Sequence, residues 1–145
     1  MAYDPNNIFA KILRGEADAH VVLDEEHCLG FMDLMPQSPG HTLIIPREPA
    51  ETIFDLSAPA LGQLIATTQR VARAVKAAFK PPGMMIVQLN GVDAGQTVFH
   101  IHFHVIPRYE GEGLTLHARS VAAPAQLREH AARIRAELES AHPAD

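Results

Sequence analysis

One run of residues constrains this chain more than any other. From Phe99 to Ile106, apolar and histidine side chains alternate: Phe99, Ile101, Phe103 and Val105 hold one parity, and His100, His102 and His104 the other. A strand sends successive side chains to opposite faces, so the run predicts a strand whose imidazoles share one face while its apolar set meets a core. Neighbouring histidines on such a strand stand roughly 6.6 Å apart. The aromatic and β-branched content suits a pleated setting, and Pro107 marks the expected exit from the ladder. A strand of this kind needs partners.

The rest of the chain supplies them. Val21–Leu23 and Cys28–Met32 read as two strands joined by the acidic turn Asp24–Glu26, Gly40–Pro46 as a third, and Met84–Leu89 as a fourth; the histidine run is the fifth. Leu61, Leu64, Ile65, Thr68, Val71, Ala72, Val75 and Phe79 recur at helical spacing. They predict one long helix that begins at Asp55 or Ser57 and is stopped by Pro81, Pro82 and Gly83. Asn7 is a cap for a short helix carrying Ile8, Phe9, Ile12 and Leu13, which ends near Gly15. Leu127, Ala131, Ile134 and Leu138 form a narrow stripe on a final short helix, to be covered by the same domain or by a second copy. Residues 114–123 carry no assignment. With 145 residues the chain suffices for one cored domain and not two. The expected fold is α+β: a five-stranded, mainly antiparallel sheet, one long helix, and short N- and C-terminal helices. The single domain spans 1–145, with a core at about 7–108 and a C-terminal extension at about 109–145.

Charge and cysteine content exclude several function classes. The net charge of −5 leaves no basic stripe for a nucleic-acid backbone. The single Cys28 permits no intrachain disulfide and fits a reducing compartment. No basic-plus-apolar leader and no membrane-length apolar run occurs, so a cytoplasmic protein without membrane contact is expected. Two chemistries remain for the histidines. A neutral imidazole is a nucleophile toward phosphorus, and the turn Asn90–Thr97 before the run has two glycines whose backbone N–H groups would cradle an anion. Alternatively, His100 and His102 chelate a metal, with Asp33 or His41 completing the site.

The segment His100–Ile106, with its lead-in Ala94–Phe99, resembles the signature of the histidine triad (HIT) superfamily of nucleotide hydrolases and transferases. Further similarity lies in Phe31–Leu34 and in Gly40–Pro46, so that the resemblance covers most of residues 7–108. Ile8–Ile12 and Cys28–Phe31 are closest to its bacterial Hint-like members. The resemblance implies a purine nucleotide ligand of the AMP or GMP type and a homodimer whose sheet continues across the interface. It makes His102 the nucleophile, forming a nucleotidyl-histidine intermediate. His100 and His104 would orient it and hold phosphate oxygens. Gln96, Thr97 and the backbone at Gly95 would contact phosphate and leaving group, with Asn90 near phosphate and sugar. Asp33, followed by Leu34, would accept hydrogen bonds from the ribose hydroxyls, a task suited to two carboxylate oxygens. Ile8, Phe9 and Ile12 would wall the base pocket. His41 stands either as a supporting group beside the triad or as a structural hydrogen-bond partner. Many bacterial members also hold a structural zinc, but the matching ligand positions here are Asn7, Ala10 and Pro49, so no metal and no cofactor are expected. Phosphoramidate cleavage is the favoured reaction. Dinucleoside polyphosphate hydrolysis and a non-catalytic nucleotide-binding module are the alternatives.

Overall fold

Five short apolar segments pair into one sheet in the order β1-β2-β3-β5-β4, every pair antiparallel. They are β1 (Val21–Asp24), β2 (Cys28–Met32), β3 (Thr42–Pro46), β4 (Gly83–Val87) and β5 (Phe103–Arg108). Three helices accompany them: α1 (Ile8–Leu13), α2 (Ala58–Phe79) and α3 (Pro124–Ala141). The coordinates are a computed structural model that describes residues 2–113 and 120–141. Much of the stretch 114–123, unassigned from sequence, therefore lies outside the described residues.

The helix starts follow local chemistry. Asn7 is extended, and its side-chain oxygen accepts from the Ala10 N–H at 2.9 Å. Ser57 does the same for Ala60, which settles the start of the long helix in favour of Ser57 over Asp55. Each cap satisfies an amide that the first turn leaves without a partner. At its far end α2 closes on Lys80 in the left-handed conformation, and the prolines that follow cannot extend it.

Both faces of the sheet are covered, which is why β2 and β3 are buried throughout rather than alternating. On one face α2 and α3 lie over Met32, Ile44, Phe103 and Val105. On the other, Phe9 of α1 covers a smaller cluster of Leu29, Phe31, Leu43 and Ile45. Register places Phe31 opposite Leu43, and Leu43 opposite His104. The second apolar cluster thus runs across the strands directly to a histidine. Gly40, ahead of β3, has φ +93, and a Cβ there would meet the Phe79 ring at 3.0 Å and Pro107 at 3.1 Å, so only glycine fits.

Two expectations need correction. The histidine run does not enter the sheet at Phe99: β5 starts at Phe103, and residues 98–102 are irregular. Extending the β3–β5 register would bring Ile101 opposite Pro46, where β3 ends in a residue without an N–H. The Ile101 N–H bonds instead to the Ala50 carbonyl at 2.9 Å. The alternation of faces survives this, because Ile101, Phe103 and Val105 all reach the larger core. The C-terminal helix is not short either; α3 has 18 residues. Its stripe of Leu127, Ala131 and Ile134 is buried in the same core as α2, so this chain itself covers it. Arg135 donates to the Val21 carbonyl, and Arg133 lies over the Phe79 ring at 4.3 Å. Among the described residues no helix is long and apolar enough to cross a membrane.

Candidate active site

A cavity of about 260 Å³ opens where α1, the end of β2, the start of β3 and the 95–104 segment meet. Ile8, Phe9 and Ile12 line it together with Phe31, Leu43 and Val98. Leu34, Gly95, Thr97, His102 and His104 line it too. One side is therefore an apolar slot, and the other carries imidazoles and a carboxylate.

His102 is buried, and its Nδ1 lies 2.7 Å from the His100 carbonyl oxygen. A carbonyl only accepts, so Nδ1 bears the proton and Nε2 keeps its lone pair. Burial pushes the ring's pKa down to about 4, which keeps it neutral near pH 7. The Phe9 ring meets it edge-on at 4.8 Å, and the His104 ring is 4.9 Å away. Phe9, expected in the base-pocket wall, and the nucleophile candidate are thus in direct contact.

His41 is fully buried and links three groups. The Gln37 backbone N–H donates to its Nδ1 at 3.0 Å, so the ring's proton sits on Nε2. That Nε2 is 3.0 Å from His104 Nδ1 and 3.4 Å from an Asp33 oxygen. Because His104 accepts this bond at Nδ1, its own proton sits on Nε2. Burial, reinforced by the neighbouring His102, lowers the His41 pKa to about 4. The other Asp33 oxygen accepts from the Met35 N–H at 2.9 Å, a turn-forming bond that fixes the carboxylate. His41 thus makes structural hydrogen bonds and lies against His104 and Asp33.

Among the described residues, Asp33, His41 and His104 are the cluster close enough to hold a cation, with one ligand atom from each within 4.8 Å of the others. It is not the set that the sequence offered as an alternative, which centred on His100 and His102. The His41 tautomer opposes a metal there: coordination at Nε2 would move the proton to Nδ1, against the Gln37 N–H. The residues matching the structural zinc of bacterial relatives do not fit that ion either. The Asn7 oxygen is engaged by Ala10, Ala10 has no ligand atom, and His100 Nδ1 is engaged by the Tyr3 hydroxyl at 2.5 Å.

Three candidates are placed differently from expectation. His100 is fully buried and its ring is held on both nitrogens, by Tyr3 and by the Pro46 carbonyl at 2.8 Å, so it does not reach the cavity. The Gln96 side chain is buried in the loop, accepting from the Gly91 N–H and donating to the Glu51 and Val98 carbonyls. Asn90 accepts from the Ile53 N–H and exchanges amide bonds with Gln88. The expected anion cradle is also altered. The N–H groups of Gly91, Ala94, Gly95 and Gln96 all have partners inside the turn. A loop tucked against the core must satisfy its own amides, and this one does so with its own residues. Sequence reasoning missed Tyr3, Phe31, Leu43 and Val98. The facing positions of Phe31, Leu43 and His104 would have found two of them; nothing in a polar N-terminal stretch marks Tyr3.

A family model described as HIT domain matches residues 14–111. A HIT-like protein involved in cell-cycle regulation from Bartonella henselae, solved with an unknown ligand, superposes with a TM-score of 0.88 at 41% identity, covering 94% of this chain and 99% of that one. A hypothetical histidine triad nucleotide-binding protein from Sulfolobus tokodaii gives 0.84 at 28% identity, covering 91% of each. A zinc-bound histidine triad family protein from Mycobacterium smegmatis gives 0.84 at 33% identity, covering 97% and 98%.

Proposed function

The chain belongs to the HIT domain family, and on that premise we propose that it is a nucleotide-binding hydrolase that cleaves purine nucleoside phosphoramidates through His102. The observation that carries the reading is the fixed tautomer of His102, with Nδ1–H on the His100 carbonyl and Nε2 unprotonated in a ring that lines the cavity. Attack of Nε2 on the α-phosphorus forms a P–N bond to the enzyme and breaks the bond to the leaving amine. The departing amine takes its proton from water at the cavity mouth, while His104, whose Nε2–H follows from the His41 bond to its Nδ1, donates a hydrogen bond to a phosphate oxygen and steadies the charge that builds there. Water then attacks the nucleotidyl-histidine and releases the nucleotide. Asp33 is the ribose acceptor, held beside His41. Ile8, Phe9 and Ile12, with Leu34 at the rim, take the base. Thr97 and the Gly95 backbone border the phosphate; Gln96 and Asn90 serve by holding that loop. The fold supports a dimer as well. The uncharged strand β4 forms one sheet edge, with Ile86 half exposed. An apolar edge without a protective charge invites pairing with a second copy. The buried free thiol of Cys28 agrees with a cytoplasmic setting.

The discriminating experiment compares kcat/KM for an adenosine 5′-phosphoramidate with that for a diadenosine polyphosphate. Preference for the phosphoramidate is expected. A preference above about tenfold for the dinucleotide, roughly 1.4 kcal/mol in the barrier, would move the assignment to polyphosphate hydrolysis. Nucleotide binding with no turnover of either would leave a binding module.

A further inference from the structure

Residues 98–102 lie outside the ladder, so no strand pairing fixes the His100 carbonyl that receives the His102 proton. What holds this carbonyl is local. The Ile101 N–H is bonded to Ala50, and the His100 ring is held at both nitrogens. The Pro46 carbonyl takes the Nε2 proton at 2.8 Å, which leaves Nδ1 as an acceptor, and Tyr3 supplies the matching hydroxyl at 2.5 Å from 97 residues away in sequence. The tyrosine ring also meets the imidazole edge-on, with centroids 5.6 Å apart. Tyr3 is itself held by a folded arm: Asn6 and Asn7 donate to Asp4, and Arg14 donates to the Pro5 carbonyl.

We infer that Tyr3 is a positioning residue of the histidine centre, clamping the His100 ring so that the His100 carbonyl keeps His102 in its nucleophilic tautomer and orientation. The inference rests on the proposed role of His102. Tyr3 touches neither the cavity nor the reacting atoms; it acts through His100. Because the same arm leads into α1, whose Phe9 meets the His102 ring, the clamp also ties the base-pocket wall to the triad.

Tyr3→Phe keeps the ring and removes the hydroxyl. The expected result is a loss in kcat of about tenfold with KM within about twofold, since only the alignment of the nucleophile changes. The second readout needs no substrate. In protein labelled with 15N-histidine, the His102 Nδ1–H resonance of the wild type should be sharp and slow to exchange. In Tyr3→Phe it should broaden and exchange faster. An unchanged resonance in the variant overturns the clamp, whatever the activity. If the wild type turns over no nucleotide conjugate, the proposed reaction fails, and the resonance alone then decides the clamp.

Discussion

At the residue scale, the histidines are distinguished by which nitrogen carries the proton, and that follows from what each nitrogen touches. His102 is neutral because burial lowers its pKa to about 4, not because of its ordinary value of 6.5. The kcat/KM profile should therefore stay flat from pH 8 down to about 5.5 and fall only nearer pH 4. An acid limb centred near 6.5 would show a solvated imidazole instead. Asp33→Ala should weaken ribonucleotide binding by about 1.5–3 kcal/mol and erase any preference over the 2′-deoxy analogue, read by calorimetric titration of both. An unchanged preference would remove Asp33 from the ribose role. The spacing of the histidines was legible in the sequence, because period two is visible in one dimension. The roles of Gln96 and Asn90 were not. Their partners Glu51 and Ile53 lie across a loop, and an amide beside a glycine looks the same whether it faces a ligand or its own backbone.

At the element scale, β5 and α3 teach different lessons. The alternation of the run correctly sent Ile101, Phe103 and Val105 to the core, yet the ladder with β3 stops at Ile44 and Phe103, just before β3 ends at Pro46, a limit set by another segment. The stripe on α3 was visible, while its destination required the packed fold, where Leu127 and Ile134 join the main core. Ile134→Ala should cost about 2–5 kcal/mol in a denaturant melt, as for a fully buried aliphatic side chain. A change under about 0.5 kcal/mol would mean that α3 is an appendage. Gly40→Ala should also destabilise, because its positive φ and the Phe79 ring both exclude a methyl group.

At the scale of the whole molecule, buried neutral imidazoles make stability depend on pH. His41 and His102 have folded pKa values near 4, below the unfolded 6.5, so the unfolded chain takes up protons first on acidification. Their contribution is intact above pH 6.5 and is lost as the pH falls toward 4, on the order of a few kcal/mol. Urea midpoints measured between pH 7.5 and 4 should decline across that window; a flat series would contradict the burial of these rings. The sheet order, legible only as five strands in sequence, leaves β4 at an edge, and light scattering should give twice the 15.8 kDa chain mass. A clean monomer at micromolar concentration would rule out pairing through that edge. The most direct test of the proposed chemistry is rapid-quench mass spectrometry of the enzyme during turnover of an adenosine phosphoramidate. A nucleotidyl adduct should appear on His102 in the wild type and vanish in His102→Asn, whose kcat should fall by about 10⁴-fold or more while nucleotide binding persists. An adduct on another residue, or near-full activity in His102→Asn, would contradict the account.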